Sequence, residues 1–139
     1  MKPNQVSKKN NYRTGVLGEK VAREYLLRNG YYIIMQNYRK PWAEIDIICK
    51  KDDIVHFVEV KSVSYETRVQ LENAISRETW QPEELVHSFK LKQISKGVQS
   101  WLHENSYTGN FQIDVAVVRI VPRETYARVK LIDNVLVEQ

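Results

Sequence analysis

Two short runs with strand-like alternation, Glu44–Ile48 and Val55–Lys61, joined through the polar stretch Lys50–Asp53, constrain this chain more than any other segment. Side chains alternate faces along a strand, so Glu44 and Asp46 share one face and Glu59 and Lys61 share another. With Asp52-Asp53 as a two-residue turn, Asp46 falls opposite Glu59 and Glu44 opposite Lys61, so all four share one face of the hairpin. A four-residue loop shifts the pairing by one position and keeps that face; only an odd-length loop or a bulge separates the four. The other face carries Ile45, Ile47, Val58 and Val60, while Ile48 and Phe57 lie beside the acids, so neither side reads as freely solvated.

Carboxylates set side by side repel unless a cation or a shared proton relieves them. Hard oxygen ligands with no histidine or thiol among them suit Mg²⁺ or Mn²⁺, and Mg²⁺ takes one or two carboxylates with waters and phosphate oxygens. The ammonium of Lys61, two residues beyond Glu59, suits the orientation of an attacking water or the stabilisation of charge growing on a phosphorane. The residues alone leave a second reading open, a solvated hairpin face laced with cross-strand ion pairs.

The chain of 139 residues is the size of one domain and shows no repeat. Its net charge of +4 leans mildly toward an anionic partner. No apolar run approaches a membrane span, and Met1–Arg13 is polar and basic, unlike a signal peptide, so a cytoplasmic location is expected. Cys49, the single cysteine, sits in a strand pattern and reads as an inert core thiol.

Residues 1–13 read as a flexible basic arm, and residues 14–139 as the domain. A helix capped by Thr14 is expected to run to about Arg28, with Leu17, Val21 and Tyr25 at helical spacing and Asn29-Gly30 ending it. Glu19 shares an edge with Ala22 and Leu26, which turns a carboxylate toward the packed side, or leaves it paired with Arg23. Tyr31–Met35 reads as a first strand, Gln36–Ala43 as a loop, and Ser62–Trp80 as a loop or weak helix with Leu71 and Ile75 one turn apart. A second long helix from Pro82 to about Asn105 carries Leu85, Leu91, Ile94, Val98, Trp101 and Leu102 in its stripe. Strands over Phe111–Val121 and Ala127–Val137 complete the order αβββ-α-ββ, an α/β fold with a central mixed β-sheet flanked by helices, because the long connection after the third strand permits a parallel crossover.

Taken together, Gly15-x-x-Gly18-Glu19-x-x-Ala22-x-x-Tyr25-Leu26, Asn29-Gly30-Tyr31, Asn37-Tyr38-Arg39, Glu44-Ile45-Asp46-Ile47-Ile48, Phe57-Val58-Glu59-Val60-Lys61 and a later helix containing Lys90 resemble YraN-like proteins. These belong to the PD-(D/E)XK nuclease superfamily and are related to archaeal-type Holliday junction resolvases. The resemblance spans roughly residues 14–120, and several separated elements match in order. It implies a restriction-endonuclease-like core in which Asp46 and Glu59 bind the metal, joined by Val60, and Lys61 assists the attacking water. It adds Glu19 to the acidic pocket, gives Glu44 a supporting role toward the metal or Lys61, and makes Lys90 a phosphate contact. Asp114 matches an Asp of the family's following strand and reads as structural or as a neighbour of the site. Two departures are Ala43, where the family usually has Gly, and Ser62-Val63-Ser64, where it has a basic residue soon after the lysine.

Elsewhere the signals are weaker. His56, His87 and His103 lack zinc spacing, and His56 should face away from the acids. Trp42, Trp80 and Tyr65 are packing material or base-stacking platforms. Lys92 and Lys96 on the exposed helix face, with Arg119, Arg123, Arg128 and Lys130, form either a phosphate-tracking surface or a solvated basic one. The resulting expectation is a Mg²⁺- or Mn²⁺-dependent endonuclease that hydrolyses DNA phosphodiesters, selective for branched, flapped or single-stranded structure rather than sequence, in repair or recombination. The alternative is a non-catalytic nucleic-acid-binding accessory protein that keeps the fold. Resemblance to junction resolvases also allows a homodimer.

Overall fold

The computed structural model describes residues 3–77 and 88–135, without the side chains of 3–11 and 88–91. Its order is α1 (Pro3–Arg28), β1 (Tyr32–Lys40), β2 (Ala43–Lys51), β3 (Ile54–Ser64), α2 (Arg68–Arg77), α3 (Ser88–Glu104), β4 (Asn110–Val121) and β5 (Tyr126–Ile132), with a 3-10 turn at Pro122–Glu124. The five strands form one sheet in the order β1-β2-β3-β4-β5. All neighbours are antiparallel except β3 and β4, which run parallel over Ile54↔Asn110 to Ser64↔Ile120. The mixed α/β architecture thus follows the expected order, with the connection through α2 and α3 supplying the parallel crossover. No described helix is long and apolar enough to cross a membrane.

Each sheet face has its own core. On one, α1 lays Ala22 and Leu26 over Ile47, Cys49, Val58, Ala116, Val118 and Ile120. On the other, α3 sets Ile94, Val98 and Trp101 against Ile45, Ile48, Phe57, Ile113, Val115 and Val117. The expected stripe of α3 is therefore its buried face, and the Phe57 ring meets Trp101 edge-on at 5.5 Å between centroids.

Four boundaries move. α1 begins at Pro3, so the segment expected as an arm is helical from that residue on and Thr14 lies inside the helix. Proline suits a first helical turn, and nothing from Asn4 to Arg13 breaks a helix. β1 continues through Gln36–Lys40, expected as loop, because pairing with Ala43–Ile47 supports it and Tyr38 is buried; the polar residues are tolerated on an edge strand. The weak-helix reading of 62–80 resolves into a longer β3 and a real α2, where the Thr67 hydroxyl accepts from the Gln70 N–H and Leu71 is fully buried. The last expected strand stops at Ile132, short of Val137, because Asn134 turns its N–H to the Asp114 carboxylate and leaves the ladder; Trp80, Pro82, Leu85, His87 and Val137 itself lie outside the described residues.

Candidate active site

The β2–β3 hairpin closes on Asp52 and Asp53, both in the left-handed region (φ 51° and 63°), as a two-residue hairpin turn requires. Its ladder runs from Lys51↔Ile54 to Ile47↔Val58, the register that sets Asp46 against Glu59 one step further on. The β2–β3 ladder goes no further than Ile47, and there the Asp46 side chain takes over: Val60 N–H donates to Asp46 Oδ2 at 2.7 Å.

Alternation also breaks at this point. Ile45 belongs to the core under α3, whereas Ile47, expected on the same face, belongs to the core under α1. A Cβ placed on Gly97 of α3 would lie 3.1 Å from Ile45 Cδ1 and 3.2 Å from Ala43 Cβ, so both residues face that helix. Across the ribbon, Gln36 pairs with Ile47 and Tyr38 with Ile45, and the residue between, Asn37, is left-handed with φ 53°. Asparagine tolerates that conformation better than most residues. The common face expected for the four charged residues is therefore not what gathers them. Glu59 lies between Val58 and Val60, which pack toward α1, and so points to the other side with Lys61, whose Nζ is 3.7 Å from Glu59 Oε2. Glu44, expected opposite Lys61, pairs across β1 with Arg39 at 3.9 Å.

Asp46 is the hub of the arrangement. Only 7% of it is exposed, and Glu59 only 6%. Burial, then the nearby charge of Glu59, push the Asp46 carboxyl up to about 7, and the charges of Glu19 and Glu44 add to the effect. Glu19 reaches the same place from α1. Its own affinity for a proton is raised by burial and then by Glu44, and is opposed by hydrogen bonds from Asn37 and Asp46. Of the two readings of Glu19, the turn toward the packed side holds, and Arg23 is not among the groups that act on it.

The model of an uncharacterised protein family, UPF0102, matches residues 18–118. The chain belongs to this family. An UPF0102 protein of Campylobacter fetus is 36% identical over 126 residues, covering 89% of this chain and 94% of that protein. Those of Campylobacter jejuni strain 81-176 and Campylobacter lari are 32% and 33% identical, over 78% and 77% of this chain and 85% and 84% of theirs. The matched region of this UPF0102 chain runs from Gly18 to Val118 in β4 and so includes Glu19 and the whole acid set.

Among the described residues, no three acidic, histidine or cysteine side chains gather closely enough to hold a metal by themselves. Two buried carboxyl groups whose charges repel still suit a hard divalent cation, since Mg²⁺ draws the rest of its shell from water, main-chain carbonyls and substrate. Val60 can add only its main chain, whose N–H is already given to Asp46.

Other candidates separate from this cluster. Asp114 is fully buried, 2.6 Å from His56 Nδ1, and accepts from Gln112 Nε2 and the Asn134 N–H, a structural role. His56 is thereby accounted for, and Cys49, with its thiol pushed up to about 12 by burial and then by the Asp114 charge, is inert. Lys92 and Lys96 are exposed on α3; Lys90 is on the same helix, its side chain outside the described residues. Arg119 is buried and so leaves the basic surface, because β4 is a central strand covered on both faces. Arg123 and Arg128 pair with Glu66 and Glu72, each at 3.0 Å. Trp42 donates through Nε1 to Ser100 Oγ at 3.1 Å and remains half exposed. Asn37 joins the site on the strength of the fold, its one sequence signal being its place in the Asn37-Tyr38-Arg39 motif.

Proposed function

We propose that this UPF0102 protein is a Mg²⁺- or Mn²⁺-dependent endonuclease of the PD-(D/E)XK superfamily that hydrolyses DNA phosphodiester bonds, selecting structure rather than sequence. One observation carries the reading: a buried Asp46–Glu59 acid pair, flanked by the Lys61 ammonium, lies where β2 and β3 stop pairing. Asp46 and Glu59, with the main chain of Val60, would hold the cation. Its chemistry, once bound, is to polarise the scissile phosphate and ease deprotonation of the attacking water. Lys61 orients that water and offsets charge developing on the phosphoryl oxygens. Asn37 and Asp46 hold Glu19 at the edge of the pocket, and Arg39 holds Glu44, so these two acids support the pair from outside.

Cleavage of labelled single-stranded, duplex, flapped and four-way DNA with Mg²⁺ or Mn²⁺, beside Asp46→Ala and Lys61→Ala, tests this. Metal-dependent cutting lost in both variants is the expected result. Equal activity in wild type and variants overturns the site, and binding without cutting in every substrate favours the accessory-protein reading.

A further inference from the structure

A groove of about 650 Å³ lies between α1 and β1, with Glu19 in its wall. On the helix side it is lined by Tyr12, Val16, Lys20 and Arg23, which recur along one face at helical spacing; on the strand side by Gln36, Asn37 and Arg39. Tyr12 is 75% exposed and Val16 56%, so neither belongs to a core of the described residues. Lys20 and Arg23 are exposed, with no ion-pair partner among the described residues. A Cβ built on Gly15, beside them, meets nothing within 4 Å. The groove thus joins a row of cations and an exposed ring to the acid cluster through Glu19 and Asn37.

Cations spaced along a channel follow a phosphate backbone, and an exposed aromatic ring stacks on a base that is not already stacked in a duplex. We propose that this groove seats a single-stranded segment of nucleic acid, with Lys20, Arg23 and Arg39 on its phosphates and Tyr12 stacked on a base. The strand then passes Glu19 on its way to Asp46. Only that last step rests on the nuclease reading; strand binding does not.

The test is fluorescence anisotropy of labelled single-stranded DNA and RNA oligonucleotides on the full chain in chelator, where cutting is silent, over a range of salt. Tyr12→Ala is expected to weaken binding roughly tenfold or more, with Tyr12→Phe close to wild type. Lys20→Ala with Arg23→Ala should reduce the slope of log affinity against log salt by about 1.4, the share of two cations on a single strand. Arg128→Ala with Lys130→Ala, on β5 away from the groove, should leave binding near wild type, and circular dichroism checks that all variants fold. Unchanged binding in the groove variants, equal loss in the β5 variant, tighter binding to blunt duplex than to single strands, or capture of anionic lipid vesicles in place of oligonucleotides would each overturn the proposal. Binding that depends on the groove without metal-dependent cutting would sink the nuclease reading and leave the groove standing.

Discussion

Asp46 accepts the main-chain N–H of Val60 at 2.7 Å, so a buried carboxyl group stands in for backbone pairing where two strands part. That single bond ties the acid of β2 to the segment of β3 that carries Glu59 and Lys61. It also opposes, without cancelling, the effects of burial and of Glu59, which leave Asp46 near 7.

Without metal, this makes stability depend on pH in a definite direction. Asp46 holds its proton to about 7 in the folded protein, against an ordinary 3.8, so its stabilising contribution is complete below pH 3.8 and is lost as pH rises through 7. Asp46→Asn keeps an acceptor for Val60 and removes the titration. Urea unfolding in chelator should show the variant gaining on wild type by on the order of a few kcal/mol between acid and alkaline pH. A difference that stays constant across that range would contradict the assignment.

Metal affinity should run the other way. The carboxyl group must lose its proton to bind a cation, so Mn²⁺ affinity by calorimetric titration should fall roughly tenfold per pH unit below about 7. A flat profile from pH 5 to 8 would place the cation elsewhere or nowhere, whatever the activity.

For Lys61→Met, cleavage is expected to drop on the order of 10²–10³-fold, the usual cost of removing one positioned charge from a reaction centre. Oligonucleotide binding in chelator should change little. A loss of binding in proportion to activity would make Lys61 a substrate anchor instead.

Gly18 offers a test of packing at the site. A Cβ there would meet Ser62 Cβ at 2.7 Å, directly after Lys61, so α1 approaches β3 only because that carbon is missing. Gly18→Ala should cost about 1–3 kcal/mol of stability and shift the Lys61–Ser62 backbone, with thermal unfolding reporting the first and cleavage the second. An alanine variant of wild-type stability would show that Ser62 yields without consequence.

Removing Asp114 should hurt folding and leave the chemistry alone. Asp114→Ala strands His56, Gln112 and the Asn134 N–H, and is expected to cost about 3 kcal/mol or more in chemical denaturation. Below the unfolding transition its Mn²⁺ affinity should match wild type; a selective loss of that affinity would draw Asp114 into the site.

Much of this architecture was legible because its causes are local. Asp52-Asp53 sets the hairpin register through turn geometry, and the spacing of Ile94, Val98 and Trp101 marks the buried side of α3. The length of chain between β3 and β4 allowed their parallel pairing. Other features were hidden because they depend on neighbours. Gln36–Lys40 is strand only because β2 lies beside it, and Arg119 is buried only because β4 is covered on both faces. A regular alternation of faces, applied through Asp46, put Ile45 and Ile47 together where the fold divides them.

The chain by itself brought Asp46, Glu59 and Lys61 toward one end of a hairpin, since Asp52-Asp53 as a two-residue turn sets that register, while a longer loop or a bulge stayed open. Only the tertiary structure decided how they meet. Helices pack on both faces of the sheet, and each demands its own apolar residues from β2, so the alternation gives way at Asn37 and Asp46 and the strands part there. Burial and the nearby charge of Glu59, with Glu19 brought in from α1, then set the charge state of Asp46, a property of the assembled environment that no stretch of sequence carries alone.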